Sequence, residues 1–129
     1  MIALYIDTTS EYSLVQISND SKTFVEERWL SEHKLGDDLL PKIVKMLDQA
    51  SITLKDLNCI VVNGGPGSFT GTRVGVSTAN ALAWSLNIPV FASDHINAFL
   101  KTSVGQNPHF TKPVVPKYAT PPKVTIRKH

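Results

Sequence analysis

A glycine-rich run at residues 63–71 contains the residue types that most directly suggest chemistry. It reads Asn-Gly-Gly-Pro-Gly-Ser-Phe-Thr-Gly and joins an apolar stretch to a helical pattern. Glycines let another group approach the backbone closely, and the N–H groups that begin a helix attract anions. The run therefore predicts either a phosphate site that uses Gly65, Gly67 and Ser68, or simply a tight strand-to-helix turn.

A second polar run follows the first apolar stretch of the chain. Asp7 ends that stretch and is followed by Thr8, Thr9 and Ser10. A carboxylate and hydroxyls at the end of a buried strand could contact a phosphate or its metal ion. These residues are thus candidates for the same phosphate-binding role as the glycine run.

Two established phosphate motifs can be compared with the glycine run. A Walker A loop ends in Gly-Lys-Ser/Thr, whereas Gly71 is followed here by Thr72 and Arg73. A dinucleotide-binding fingerprint needs a third glycine where Thr70 stands, and Asp94 near the end of the next strand is its one supporting feature. Both matches are weak.

Carboxylates and histidines give two further alternatives. A nuclease that uses two divalent ions needs several converging carboxylates. Asp7, Asp94 and either Asp37 or Asp38 could converge, although Asn63 stands where the fourth predicted strand ends. The four histidines form no His-x-x-x-His or His-Glu-x-x-His pair, so the sequence predicts no metal site.

The single cysteine and the composition limit the class of protein. Cys59 lies in an apolar run without a visible activating partner, so we expect a buried and unreactive thiol. One cysteine in 129 residues excludes a disulfide-built fold, and no stretch approaches the ~20 apolar residues of a membrane helix. An acid at position 7 comes too early for a signal peptide. We expect a cytoplasmic protein with no cofactor and no membrane contact.

Apolar periodicity and turn residues predict the elements that would position these groups. Strands are predicted at 2–7, 12–18, 22–30, 59–62 and 89–92, and helices at 35–50, 72–86 and 93–100. Pro41 falls early in the first helix, where a helix tolerates it. The order β-β-β-α-β-α-β-α predicts an α/β, ribonuclease-H-like single domain with a mixed five-stranded sheet.

Charge and proline content divide the chain near residue 102. Residues 101–129 carry six Lys or Arg, no acid, and five of the eight prolines. Proline at that density opposes helix and central strand. We therefore predict a domain at 1–102 and a basic, proline-rich extended tail at 103–129. The tail is either a solvated or docked extension or a contact for nucleic-acid phosphates.

The two long predicted helices carry faces that could meet another helix. The first has an apolar arc wider than one sheet-facing stripe, and it includes Leu39, Ile43 and Leu47. The second repeats small residues every fourth position, beginning at Gly71 and Gly75. The two faces either pack against each other within the domain or form a helix-to-helix interface with another protein.

From Gly64 onwards the sequence Gly-Gly-Pro-Gly-Ser-Phe-Thr-Gly-Thr-Arg-Val-Gly resembles the hallmark of the bacterial TsaB family, also called YeaZ. The opening Ile2-Ala-Leu-Tyr-Ile-Asp-Thr-Thr and the Leu39-Leu40-Pro41 segment are similar to the family's first strand and first helix. The resemblance covers residues 1–100, and the stretch 118–125 is similar to the family's C-terminus. Leu35-Gly36 stands where the family has His-Ser. We expect a shortened form that lacks the family's second domain.

The resemblance implies an actin-like, Hsp70-like fold and a non-catalytic role in making N6-threonylcarbamoyladenosine at position 37 of tRNAs. Members pair with the catalytic paralogue TsaD through their first two helices, and the ATPase TsaE joins them. The chain would bind tRNA only indirectly, through that complex. A homodimer stays an open alternative. TsaD carries the metal-binding histidine pair that this chain lacks.

The resemblance also implies which residues form the partner interface and which form a vestigial phosphate site. The predicted partner interface consists of Leu39, Leu40, Ile43, Leu47, Gly71, Gly75, Thr78, Ala79 and Leu82. The predicted vestigial phosphate-binding groups are Asp7, Thr8, Thr9, Gly65, Gly67 and Ser68. The competing hypothesis is a small phosphate- or nucleotide-binding, ATPase-like protein that uses Asp7 and the loop Gly64 to Gly71.

Overall fold

In the described part of the chain, five strands form one mixed sheet, and two long helices pack against the same face of it. A computed structural model describes residues 1–19, 22–31, 34–95 and 109–117. The elements in chain order are β1 (Ile2–Asp7), β2 (Tyr12–Asn19), β3 (Lys22–Leu30), α1 (Leu35–Gln49), a 3₁₀ turn (Leu54–Asp56), β4 (Cys59–Val62), α2 (Phe69–Leu86) and β5 (Val90–Ala92). The strands lie in the order β3-β2-β1-β4-β5.

The centre of the sheet is β1, which has a different kind of neighbour on each side. It runs antiparallel to β2, with Leu4 opposite Ile17, and parallel to β4, with Leu4 opposite Ile60. The outer pairs are β2 with β3, antiparallel, and β4 with β5, parallel. Antiparallel strands can be joined by short turns, whereas parallel strands need a crossover, and α1 and α2 lie on the two crossovers.

Alternating side chains place the main core between the sheet and the helices. Leu4 and Ile6 of β1 and Ile60 and Val62 of β4 are buried on the helix side. The opposite face carries a smaller buried cluster of Ala3, Tyr5, Cys59 and Val61. All four residues of β4 are therefore buried, as expected for a strand covered on both faces.

The two helices begin in different ways. Ser68 caps α2, because its Oγ accepts a hydrogen bond of 3.1 Å from the Gly71 N–H. This cap starts α2 at Phe69, three residues before the predicted boundary. Lys34, the N-cap residue of α1, makes no side-chain capping hydrogen bond. Pro41 lies in the second turn of α1, on its exposed side, rather than immediately after a first turn.

The end of the predicted domain is described only in part. The final predicted helix at 93–100 lies mostly outside the described residues, as does most of the tail at 103–129. Residues 109–117, here called the strap, form neither helix nor strand. Phe110 and Val114 of the strap pack against the main core. Among the described residues, no helix is both long and apolar enough to cross a membrane.

Candidate functional site

Asp7, at the end of β1, accepts hydrogen bonds on both carboxylate oxygens from its own surroundings. Its Oδ1 accepts from the Thr9 N–H at 3.0 Å and from the Thr9 hydroxyl at 2.7 Å. Its Oδ2 accepts from Asn63 Nδ2 at 3.1 Å and, more weakly, from the Tyr5 hydroxyl at 3.4 Å. The carboxylate therefore organises the ends of β1 and β4 and has internal donors for both oxygens.

The glycine loop packs tightly against the turn that follows β1. Gly67 lies so close to Thr9 that a Cβ on it would overlap the Thr9 side chain and carbonyl. Gly71 stands in the same relation to the Thr8 carbonyl. The Ser68 N–H donates to the Thr9 carbonyl at 2.9 Å. These glycines are needed for contact between two segments of the chain, which fits the tight-turn interpretation of the run.

Gly65 has a different requirement. Its φ of +105° lies in the left-handed region that favours glycine. Its N–H donates to Asn63 Oδ1 at 3.0 Å, and the Lys117 carbonyl of the strap lies against its Cα, where a Cβ would overlap it. Gly65 is thus used to bring the strap and the loop together.

A cavity of about 250 Å³ lies beside this loop at the carboxyl ends of β4 and β5. Its lining includes Asn63, Gly65, Asp94 and Lys117. Asp94 is exposed, and its Oδ1 lies 2.6 Å from His95 Nδ1. No three His, Cys, Asp or Glu side chains among the described residues are grouped to hold a metal ion. Asp37 and Asp38, in the first turn of α1, are likewise not part of a metal-binding group among the described residues.

Two ionisable groups on the smaller core face are held in their neutral forms. Burial raises the pKa of Tyr5 above its ordinary value, and the nearby negative charge of Asp7 adds to that effect. Burial also raises the pKa of the Cys59 thiol to about 12. The expectation of a buried cysteine is confirmed, since Cys59 is 2% exposed.

The predicted interface divides into buried and accessible residues. Leu39, Ile43, Leu47, Gly75 and Ala79 lie in the interior, where they pack against the chain's own sheet and turn. These five residues are therefore inaccessible to a partner while the domain keeps this fold, and the interface itself stays a prediction. Leu40 is exposed, and Gly71, Thr78 and Leu82 are half-buried.

Two accessible apolar residues of α1, Leu40 and Val44, lie on the flank that faces towards α2, beside the exposed carboxylates of Asp37 and Asp48. Lys42 marks the opposite flank, because its Nζ reaches Glu27 of β3 at 2.7 Å. At 100° per residue, Leu40 and Val44 lie about 160° from Lys42 around the helix axis. Their side chains are 47% and 51% exposed. Since α1 contacts β2 and β3 while α2 contacts β1, β4 and β5, the flank away from β3 is the one nearer α2.

The outer surface of α2 continues this accessible region. Val74, Thr78 and Leu82 are half-buried at spacings of four residues, so they share one flank of the helix. Trp84 is 71% exposed. We call Leu40, Val44, Val74, Thr78 and Leu82 the two-helix surface. The sequence pattern pointed to these helices but did not single out Val44, although Val44 belongs to the wide apolar arc.

The strand order, with two antiparallel and two parallel pairings and both crossover helices on one face, defines a ribonuclease-H-like domain of the actin-like class. A family model described as TsaD: tRNA N6-adenosine threonylcarbamoyltransferase matches residues 30–118. The tRNA threonylcarbamoyladenosine biosynthesis protein TsaB of Buchnera aphidicola subsp. Schizaphis graminum is 40% identical over 91 residues. The chain therefore belongs to this TsaD-related family, and its relatives place it among the TsaB, or YeaZ, members.

Further relatives give the extent of the similarity. TsaB of Bacillus subtilis is 34% identical over 111 residues, which is 85% of this chain and 46% of that protein. The Buchnera match covers 70% of this chain and 42% of its relative. The solved structure of YeaZ from Pseudomonas aeruginosa has a TM-score of 0.67 and 28% identity, and covers 71% of this chain and 43% of that one. The chain spans less than half the length of these relatives, and the predicted family resemblance is confirmed.

Proposed function

We propose that this chain is a non-catalytic subunit of the assembly that makes N6-threonylcarbamoyladenosine at position 37 of tRNA. It pairs with the catalytic protein TsaD through the two-helix surface, with TsaE and tRNA joining that pair. The observation that carries the proposal is the exposure of Leu40 and Val44, one turn apart on the same flank of α1.

An exposed apolar flank on paired helices is a suitable surface for a helical partner. Burying a Leu or Val side chain that is half-exposed contributes on the order of 1 kcal/mol of binding free energy each. The sequence of α2 contains no acid and a single charge, Arg73, so an apolar partner helix would meet little charge there. Such a surface favours close helix packing over contact with water.

The described polar groups support a scaffold role more than a catalytic one. The carboxylate that would act on phosphate, Asp7, is engaged on both oxygens by Thr9, Asn63 and Tyr5. The space beside Gly67 is occupied by Thr9, and the space beside Gly65 by the Lys117 carbonyl, so neither is open to a phosphate. Catalysis is accordingly assigned to the partner in this proposal.

The test is co-purification of the full chain with TsaD, with and without TsaE. Retention of TsaD at about equal stoichiometry supports the proposal, and absence of a complex with folded proteins at micromolar concentration overturns it. Light scattering on the isolated chain then separates a monomer from a homodimer that uses the same surface.

The cavity of about 250 Å³ beside Asn63, Gly65 and Asp94 is the observation that favours the alternative, a small phosphate- or nucleotide-binding protein. Lys117 also lines this cavity, and its ammonium group would supply positive charge for a phosphate. Calorimetry of the isolated chain with ATP and magnesium separates the two hypotheses. Saturable binding favours the alternative, and no heat of binding favours the scaffold.

A further inference from the structure

The strap follows α2 from its C-terminal end back to the loop before its N-terminus. The Phe110 N–H donates to Asn87 Oδ1 at 3.3 Å, at the residue that ends α2. The Lys117 N–H donates to the Gly64 carbonyl at 2.6 Å, in the loop that leads into α2. The strap therefore touches both ends of this helix.

Asn80 holds the middle of the strap through its backbone. Asn80 Oδ1 accepts from the Val114 N–H at 2.8 Å, and Asn80 Nδ2 donates to the Val114 carbonyl at 2.9 Å. The seven residues from Asn80 to Asn87 rise about 10.5 Å along a helix. The four residues from Phe110 to Val114 span about 12 to 13 Å when extended. The near match of these lengths explains how both asparagines engage the strap at once.

The strap and the two-helix surface lie on opposite flanks of α2. Asn80 is two residues away from both Thr78 and Leu82 along the helix. Two residues turn the helix by 200°, so Asn80 lies about 160° from each of them around the helix axis. The buried line of the helix, which includes Val76 and Ala83, lies between these flanks and faces the sheet. The strap thus supports α2 from the side that a partner on the two-helix surface would leave free.

We infer that the strap is an external splint that holds α2 and the glycine loop in the orientation the two-helix surface requires, with Asn80 as the positioning residue. The inference rests on the proposed function for its effect on partner binding. It rests on the Asn87, Asn80 and Gly64 contacts alone for its effect on α2. Asn80 itself touches the strap and need not touch the partner.

The test uses the full chain with Asn80→Ala, which removes both hydrogen bonds to Val114. Alanine is the better helix former, so any loosening of α2 must come from loss of the strap rather than from helix propensity. Ser77→Ala, on the exposed side of α2, is the matched control. Amide hydrogen exchange by NMR reports the opening of each segment separately.

We expect the Val114 and Lys117 amides to exchange at least tenfold faster in Asn80→Ala, with faster exchange also at Gly65 and along α2. The dissociation constant of the TsaD complex should rise about tenfold, while Ser77→Ala leaves the exchange of the Val114 and Lys117 amides unchanged. Faster exchange confined to Val114, or an unchanged dissociation constant in a variant with a released strap, overturns the splint. If the unsubstituted chain binds no TsaD, the proposed function fails, and the exchange pattern along α2 still decides the splint.

Discussion

The Thr8 hydroxyl, in the turn after β1, donates a hydrogen bond of 2.5 Å to the Gly71 carbonyl in the first turn of α2. Thr8 is fully buried, and its Oγ1 also lies directly over Gly75, where a Cβ would overlap it. The small residues of α2 therefore let the helix pass over the end of β1. This contact joins two segments that are 63 residues apart in the chain.

Gly75→Ala should destabilise the domain by about 1–3 kcal/mol, because the added methyl group meets the Thr8 hydroxyl inside a packed core. The loss should appear although alanine gains about 1 kcal/mol of helix propensity over glycine. Urea unfolding measures the change. Gly36→Ala in α1 is the control, since nothing lies within 4 Å of a Cβ there, and it should stabilise by up to about 1 kcal/mol.

A double-mutant cycle with Thr8→Ala tests the assigned contact. If the clash is with Oγ1, Gly75→Ala should cost less in the Thr8→Ala background, with a coupling free energy of about 0.5 kcal/mol or more. Additive effects would contradict this assignment. Gly75→Leu would overfill the site far more, so its failure to bind a partner would report unfolding rather than a lost contact.

The small-residue row of α2 shows what the sequence could and could not predict. Spacing at Gly71, Gly75 and Ala79 indicates close packing on that face, and Gly75 and Ala79 are indeed buried, with Gly71 half-buried. The same spacing suits packing against a sheet, a turn or a partner helix equally. Only the tertiary structure therefore identifies what packs against this face. The strands were more predictable, because the apolar runs of β1 and β4 determine burial locally.

Other parts of the site had no local signal. Leu39 and Leu40 are identical side chains on one apolar arc, and only the position of the sheet decides that the first is buried and the second exposed. Asn80 is an ordinary polar residue of a helix in the sequence, and its partner Val114 lies 34 residues further along the chain. Such long-range pairs are fixed by the fold and not by spacing.

Leu40→Glu and Val44→Glu, made singly, should each weaken TsaD binding by about 100-fold while leaving the domain folded. A charge placed in an apolar contact loses its hydration without gaining a partner. Both side chains are about half exposed, so the free energy of unfolding should change by less than about 1 kcal/mol. Titration calorimetry with purified TsaD measures the dissociation constant.

Gln49→Glu is the matched control for these two variants. It adds the same single charge at an exposed residue of α1, on the flank that carries Lys42. Its affinity for TsaD should stay within about twofold of the unsubstituted chain. Equal weakening in all three variants would indicate a general charge effect, and no weakening at Leu40 and Val44 would place the interface elsewhere.

Cys59 should resist alkylation in the folded domain. Burial raises its pKa to about 12, so at pH 8 the thiolate that reacts with iodoacetamide is scarce as well as enclosed. Labelling followed by mass spectrometry should proceed only as fast as the domain opens, and should become rapid in 6 M guanidinium. Ser77→Cys adds an exposed thiol as an internal control. Equal native labelling at both positions would contradict the burial of Cys59.

Glu27 should make the stability of the α1–β3 contact depend on pH. The hydrogen bond from Lys42 at 2.7 Å, and its positive charge, lower the pKa of Glu27 against a smaller opposing effect of burial. A carboxyl with a lowered pKa in the folded state stabilises folding above its ordinary pKa of about 4.3, and this stabilisation is lost as the pH falls through the folded-state value. Lys42 also lies 5.2 Å from the centre of the Trp29 ring, which helps fix its position.

Glu27→Gln should therefore destabilise the domain by about 0.5–1 kcal/mol at pH 7 and by progressively less below about pH 4, where the unsubstituted side chain becomes neutral too. Urea unfolding between pH 3 and pH 7 measures the difference. Glu26→Gln is the control, because Glu26 lies on the other face of the sheet from Glu27 and its Oε1 accepts a hydrogen bond from the neutral amide Nε2 of Gln16 at 2.7 Å. A Glu27→Gln effect that is constant with pH would show that packing, and not the charge of Glu27, stabilises this contact.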